Sequence, residues 1–390
     1  TNNGLIGENT EFVLANDIDL SAYSTGEGWT PIGSPSKSFT ATFDGNGHVI
    51  SKLYINRPSS GSALGLFGQV DSAEIKNIGL ENVSVTGREL FIGGLLGLGL
   101  NDTMITNCYV TGSVNGGSYT GGMAGGSDGT IINSYATGSV TGTSYLGGLL
   151  GRSAVSITIT NCYSTGNVTG SGLGQCVGGL LGQAKEATIS NSYATGSVTG
   201  RMSVGGLLGE GSSGATTTII SNSYATGSVI GSSYVGGLLG LGVKGSVINS
   251  YATGRVTGND DVGGLLGFAT GTTLDNAYYT DTTGQTNGLG LGVHYGTAQL
   301  VTMDGLHELI SQGILLDYRA KTEDKSSSKA YILQIGINSD SSSQISFELS
   351  GIDISALDGL DLEEANALST IDEVLKSINA EQTILCRNYF

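Results

Sequence analysis

The chain has 390 residues, 66 of them glycine and only 3 proline, and it carries a formal net charge of −17. With 38% apolar and 13% charged residues it lacks the composition of a disordered chain, and without a three-residue glycine period it is not collagen-like. The charge excludes a nucleic-acid partner, which needs clustered Lys and Arg, and no apolar run approaches the roughly 20 residues of a membrane helix, so membrane insertion is not expected.

The sequence begins at Thr1 rather than at a methionine, which predicts a processed product or a piece of a longer protein. Residues 1–65 hold most of the bulky aromatics, in Phe12-Val13-Leu14, Trp29-Thr30-Pro31-Ile32-Gly33 and Phe39-x3-Phe43. A stack of repeats exposes an open core at its first unit, so this segment is expected to be an N-terminal β cap with one or two irregular coils.

Residues 66–285 form a repeat array. Seven units follow the pattern Ile-x-Asn-small-Tyr, Thr-Gly-x-Val, Gly-Gly-Leu, with the pairs Asn107/Tyr109, Asn133/Tyr135, Asn161/Tyr163, Asn191/Tyr193, Asn222/Tyr224, Asn249/Tyr251 and Asn276/Tyr278. Their spacings run from 26 to 31 residues. Short β-branched runs broken by glycine give about three strands per unit and no helix, which predicts a mainly β fold, a parallel β-solenoid of about seven to nine coils. Stacking places like on like, so the asparagines and tyrosines are expected to form two structural ladders along the axis. Tyr shares parity with the inward Ile if the strand continues, so the tyrosines are expected to fill the core rather than to stack on an exposed face.

The units resemble the GLUG repeats of bacterial surface proteins over roughly residues 10–280. Gly-Gly-Leu-Leu-Gly at 147–151, 178–182, 205–209, 236–240 and 263–267 carries the resemblance, with the leader Trp29-Thr30-Pro31-Ile32-Gly33 and Phe43-Asp44-Gly45-Asn46-Gly47-His48. The resemblance implies a surface context: adhesins, some secreted peptidases and variable regions of surface structures.

Beyond residue 300 only Gly305, Gly313, Gly336, Gly351 and Gly359 remain, and charged residues become dense, so the array is expected to exit near 285–300. Residues 286–330 read as a linker with a short helix over Gly305–Gln312. Residues 331–390 read as an α+β segment. Alternation at Tyr331–Ile337 and Gln344–Leu349 predicts a hairpin, and a helix follows from about Leu362, with Asp361 as cap and Glu364 three residues on. Leu368, Ile371, Leu375, Ile378 and Leu385 keep heptad spacing on that helix.

This tail resembles the C-terminal conserved region of bacterial flagellin. Leu333-Gln334-Ile335-Gly336-x-Asn338 is similar to that family's strand signature, and Ala367-x3-Ile371-Asp372-x2-Leu375-x-Ser377-Ile378-Asn379 to its helix; the likeness ends after Thr383. Flagellins place a variable, outward-facing domain between conserved terminal segments, which is the order found here. The resemblance implies assembly with other copies, or with a filament subunit, through the helix bearing Leu368 to Leu385.

Chemistry is sparse. His48 follows a turn sequence, while His294 and His307 have no acidic or thiol neighbours at ligand spacing. Cys108 and Cys162 share a slot two coils apart, too far for a disulfide, and with Cys176 and Cys386 they are expected to be free thiols. Arg152, Arg201 and Arg255 fall in different slots, and Asp260-Asp261 is a lone acidic pair. No catalytic residue, cofactor or metal is expected. The leading expectation is a non-enzymatic extracellular structural protein, the exposed domain and part of the C-terminal region of a flagellin-like subunit. The alternatives are a surface adhesin with a host or glycan ligand and the repeat region of a secreted peptidase.

Overall fold

A short strand between glycines cannot by itself satisfy its backbone groups and bury its apolar side; stacking it on its own copy does both. The computed structural model describes residues 10–59, 62–211 and 217–316, and the backbone of 329–334 and 344–349. Within residues 10–301 the chain winds as a parallel β-solenoid. The Gly-Gly-Leu strand recurs in nine rungs: Phe67, Leu96, Ala124, Leu150, Leu181, Leu208, Leu239, Leu266 and Leu289. One coil shows the plan. A long strand, Leu150–Thr160, turns a corner into the short strand Tyr163–Ser164; Val168–Gly178 then leads back to the same position one level on.

The interior divides into two apolar columns. The larger takes the stacked Leu and Ile rungs such as Leu149, Leu180, Leu207 and Leu238 with Ile131, Ile159, Ile189 and Ile220. A separate valine column begins at Val140 and runs through Val168, Val198, Val229 and Val256, facing Leu146, Val177, Val204 and Val235. Val and Leu rungs at these positions are fully buried, and each such side chain contributes about 1.5–3 kcal/mol by leaving water.

Two irregular coils precede the regular ones. Phe12 pairs with Phe43 and Phe43 with Ile75, while Ile18 pairs with Ile50. The aromatics pack onto the first regular rung: Phe39 and Phe43 each lie 5.2 Å from Phe67 between ring centres. Trp29 Nε1 donates to the Leu66 carbonyl at 3.2 Å. An apolar recess of about 330 Å³ remains at this end, lined by residues including Leu14, Ile18, Trp29 and Phe43.

At the other end the stack runs through the window 285–300 in which its exit is expected. Leu289–Val301 is a strand in register with Leu266–Thr280, from Leu289 opposite Leu266 to Val301 opposite Thr280. The Gly/Thr-rich stretch before it is therefore a corner rather than a linker, because Gly288 and Gly290 admit the close approach that each Gly-Gly step provides elsewhere. Helix α1 follows at Met303–Ser311, two residues earlier than the sequence predicts, since the Thr302 side chain caps it by accepting from Gly305 N. Its Leu306 and Ile310, four apart on one face, are buried.

Residues 317–390 form a separate unit. In it, Lys329–Gln334 and Gln344–Leu349 pair antiparallel, with Tyr331 opposite Phe347 and Leu333 opposite Ile345. The helix expected from Leu362, with Leu368, Ile371, Leu375, Ile378 and Leu385, lies outside the described residues.

Candidate functional site

The repeat's recurrent residues meet at two corners of every coil. At the first, all seven asparagines are left-handed, with φ between 46° and 55°. Asparagine tolerates this region better than other residues with a side chain, because its short amide bonds locally. Its side chain also continues a chain of amides along the axis. Asn107 Nδ2 donates to Asn77 Oδ1 at 3.0 Å and Asn133 to Asn107 at 3.1 Å. Asn161 donates to Asn133 at 3.1 Å, Asn249 to Asn222 at 3.1 Å and Asn276 to Asn249 at 3.0 Å. Asn191 and Asn222 occupy the same corner between them.

The left-handed asparagine inserts one residue into the alternation, and this corrects the expected direction of the tyrosines. Ile131 points in, Asn133 turns, Ser134 points in, and Tyr135 faces outward. The inward slot holds Cys108, Ser134, Cys162, Ser192, Ser223 and Ser250. Their buried groups form a ladder that sequence periodicity did not reveal: Cys108 N donates to Ser134 Oγ at 3.0 Å, Ser192 N to Ser223 Oγ at 3.2 Å and Ser223 N to Ser250 Oγ at 3.1 Å. Small hydroxyls suit this slot because a buried N–H with no partner costs about 1–3 kcal/mol.

Tyr109, Tyr135, Tyr163, Tyr193, Tyr224 and Tyr251 stack face to face at 4.5–5.2 Å, tilted by no more than 12°, and Tyr278 is in register with Tyr251. The first three are half-buried, while Tyr193, Tyr224 and Tyr251 are buried. Tyr251 Oη donates to the Leu316 carbonyl at 2.9 Å, so the segment after α1 returns over this strip. Burial pushes the phenol pKa values of Tyr163 and Tyr193 up, and Tyr109 is raised by burial and by its 2.9 Å hydrogen bond to Glu81 Oε1. Because each ring covers its neighbour's face, Tyr109, Tyr135 and Tyr163 offer edges rather than faces to solvent, while the rings from Tyr193 to Tyr278 are buried, as expected of the tyrosines.

An expected result tests the first corner. Asn133→Ala loses two side-chain bonds and the local amide support that makes the left-handed region tolerable to a residue with a β-carbon, for a destabilisation of about 2–3 kcal/mol. Asn133→Gly loses the bonds but not the backbone freedom, so it is the milder variant by about 1 kcal/mol. Paired urea denaturation curves in which alanine is the milder substitution overturn this account.

The second corner, between the Thr-Gly-x-Val strand and the Gly-Gly step, is also left-handed in every coil, at Ala63, Phe91, Tyr119, Tyr145, Cys176, Ser203, Tyr234 and Asp261. These residues align coil on coil. Their side chains interlock with the outward residues of the neighbouring strand, the row Leu98, Gly126, Arg152, Gln183, Glu210, Leu241 and Phe268. Phe91 and Tyr119 lie 4.9 Å apart, as do Tyr119 and Tyr145. The Arg152 guanidinium sits 4.9 Å from the Tyr119 ring centre and 5.9 Å from that of Tyr145. Further along, Cys176 Sγ donates to Glu210 Oε2 at 3.0 Å, Gln183 Nε2 to Glu210 Oε1 at 3.1 Å, and Tyr234 meets Phe268 edge-on at 5.4 Å. Burial and the Glu210 carboxylate push the Cys176 thiol up, so it stays protonated and weakly nucleophilic.

Elsewhere the chemistry is structural. His48 Nδ1 lies 3.0 Å from Asp17 Oδ1, and Asp44 Oδ1 accepts from Asn46 N at 2.7 Å within the turn that precedes it. Cys108, Cys162 and Cys176 are free and buried; Cys386 lies outside the described residues. Among the described residues no group of three or more His, Cys, Asp or Glu is placed to hold a metal, and no helix is long and apolar enough to cross a membrane.

With this geometry established, four stretches of the chain, residues 92–115, 142–169, 174–199 and 231–257, match the GLUG motif. The chain is 37% identical over 134 residues to Halomucin of Haloquadratum walsbyi, covering 32% of this chain and 1% of that protein. It is also 37% identical over 97 residues to a Gly-rich membrane protein of Evansella cellulosilytica, covering 24% of this chain and 11% of that one. The chain thus spans a small fraction of either relative. Among solved structures it is similar to one from Bacteroides ovatus named for an immunoglobulin A1 protease, with TM-score 0.46, 23% identity and coverage of 78% and 81%. A second, named IgA1 Protease, gives TM-score 0.40 at 16% identity, covering 75% of this chain and 20% of that one.

Proposed function

We propose that this GLUG-repeat solenoid is the exposed domain of a non-enzymatic surface protein, and in particular of a flagellin-like filament subunit whose C-terminal region begins near residue 331. The observation that carries the reading is the order of parts: a solenoid that ends at Val301, then an antiparallel pair with Leu333 opposite Ile345 within the stretch resembling the flagellin tail. The names of the relatives, Halomucin and a Gly-rich membrane protein, fit a cell-surface setting. Among the described residues the cysteines are buried and in no disulfide, which suits export of an unfolded chain. On this reading the helix bearing Leu368, Ile371, Leu375, Ile378 and Leu385 packs against helices of neighbouring copies in the filament.

Immunogold electron microscopy of cells that make the protein, with antibody raised against residues 66–301, tests it. Gold along extracellular filaments is the expected result. Gold confined to the cell envelope overturns the filament assignment in favour of an envelope-bound adhesin, the reading that the outward aromatic strip at the second corner favours.

A further inference from the structure

The amide ladder at the first corner runs in one direction. Asn107, Asn133 and Asn161 each donate from Nδ2 to Oδ1 of the asparagine one coil earlier, and Asn249 and Asn276 do the same. An amide has one donor end and one acceptor end. A single reversed amide would therefore set two NH2 groups against each other on one side and two carbonyl oxygens on the other. The amides keep one direction together or exchange it together. For amides alone the two directions are equivalent, so a group at one end has to choose between them.

The N-terminal end of the row holds such a group. Asn77 is left-handed like the corner asparagines that follow it, and it accepts from Asn107. Its own Nδ2 donates to Asp44 Oδ1 at 3.1 Å. In the coil of Asp44, Gly45 stands where later coils carry the corner asparagine, and Asp44 pairs with Lys76 in the strand just before it. Asn46 N also donates to Asp44 Oδ1, at 2.7 Å, and Lys76 Nζ lies 3.8 Å from Oδ2. Burial alone would raise this carboxyl, but the Asn46 and Asn77 donors and Lys76 outweigh it and hold it below its ordinary value. At neutral pH it is a carboxylate, which accepts hydrogen bonds and cannot donate.

We propose that Asp44 fixes the direction of the whole amide ladder, from Asn77 to Asn276. With an acceptor-only group at the end, Asn77 turns its NH2 toward Asp44, and each later amide is obliged to follow. Aligned amides polarise one another, so the choice is carried along the row. Their summed dipoles place the positive end of the row against the Asp44 charge, as the N-terminus of a helix does with an acidic side chain. One residue of the cap thereby decides that every corner turns its NH2 to the coil before and its oxygen to the coil after. The tyrosine row also meets a carboxylate at its N-terminal end, where Tyr109 Oη donates to Glu81 Oε1 at 2.9 Å. Glu81 is the matched control, because it ends a different row.

Side-chain amide signals in NMR spectra of the full chain, made with isotope-labelled asparagine, read the direction at each coil. The unaltered chain is expected to give one set of signals for Asn107 and for Asn133. Asp44→Asn keeps the size of the side chain but can donate or accept, so both directions become populated and these signals split or move to an average. Moving the carboxylate one coil on, by combining Asp44→Asn with Asn77→Asp, should restore a single set, since aspartate also tolerates the left-handed corner. Glu81→Gln and Lys76→Met leave the acceptor of Asn77 in place and should leave the signals single. Unchanged Asn133 signals in Asp44→Asn, a double variant that splits as the single one does, or equal splitting in Lys76→Met overturns the proposal. Where Asp44→Asn alone fails to fold, recovery of native circular dichroism in the double variant supports the assignment, and no recovery overturns it.

Discussion

Gly179→Ala is expected to break the stack in its middle. The added β-carbon would overlap the Gly206 carbonyl oxygen of the next coil and lie 2.7 Å from Ala194 Cβ of its own. Neither obstacle is the movable end of a side chain. The Gly206 carbonyl sits on the backbone that accepts from its neighbour, as Gly148 N donates to Gly179 O at 3.1 Å one level before. Relief therefore requires two coils to part, which strips bonds from the ladder, and the loss should reach about 4 kcal/mol or more. Because each coil touches only its neighbours, the damage is local in sequence but divides the array into two shorter stacks. Limited proteolysis should cut near residues 179–206 and release fragments from either side. Gly172→Ala is the control: Gly172 is left-handed but has nothing within 4 Å of its added carbon, so only about 1 kcal/mol is at stake. Equal denaturation midpoints for the two variants would falsify the close-approach account.

Alkali should unfold the solenoid sooner than its hydrogen-bonded backbone alone suggests. Burial pushes the Cys108 thiol from its ordinary value of 9.0 up to about 12, and the phenols of Tyr163 and Tyr193 are raised for the same reason. In the unfolded chain these groups ionise at their ordinary values while the folded chain still holds their protons. The unfolded state then binds fewer protons, so stability is complete below about pH 9 and falls as pH rises toward 12. Cys108 alone accounts for a decline on the order of 4 kcal/mol across that window, from a shift of about three units. Circular dichroism and phenolate absorbance followed together from pH 8 to 12 should show a last phase of phenolate formation, from the buried tyrosines, that rises only as the dichroism falls. Cys108→Ser, which places in this coil the residue that Ser134 and Ser192 carry in others, should move that step to higher pH. Complete ionisation of all the tyrosines while the dichroism stays native would sink the linkage.

The period, the inward Ile and Leu slots and the parallel stack were legible in the sequence because they depend on residues that repeat by identity. The direction of Tyr109 to Tyr251 was not, because alternation assumes an unbroken strand and the left-handed Asn breaks it once per coil. The end of the array was legible only to within the window 285–300 for a related reason: Leu289–Val301 lacks the Asn-x-Tyr signature, with Gly296 standing opposite Leu274, yet its backbone pairs as the others do. The second corner left no common signal at all. Phe91, Cys176, Ser203 and Asp261 share a backbone conformation and a position but no side-chain chemistry, so only the strand register aligns them.

The split interior bears on how such an array changes over generations. The valine column presents Val140, Val168, Val198, Val229 and Val256 to one another in turn, and each coil therefore shows the same surface above and below. An unequal crossover that deletes or duplicates one whole unit joins faces that already fit, and no compensating substitution is required at the seam. Each added unit lengthens the rod by about 4.8 Å. Lineages carrying this architecture can adjust the length of the solenoid in discrete increments, with the fold indifferent to the count.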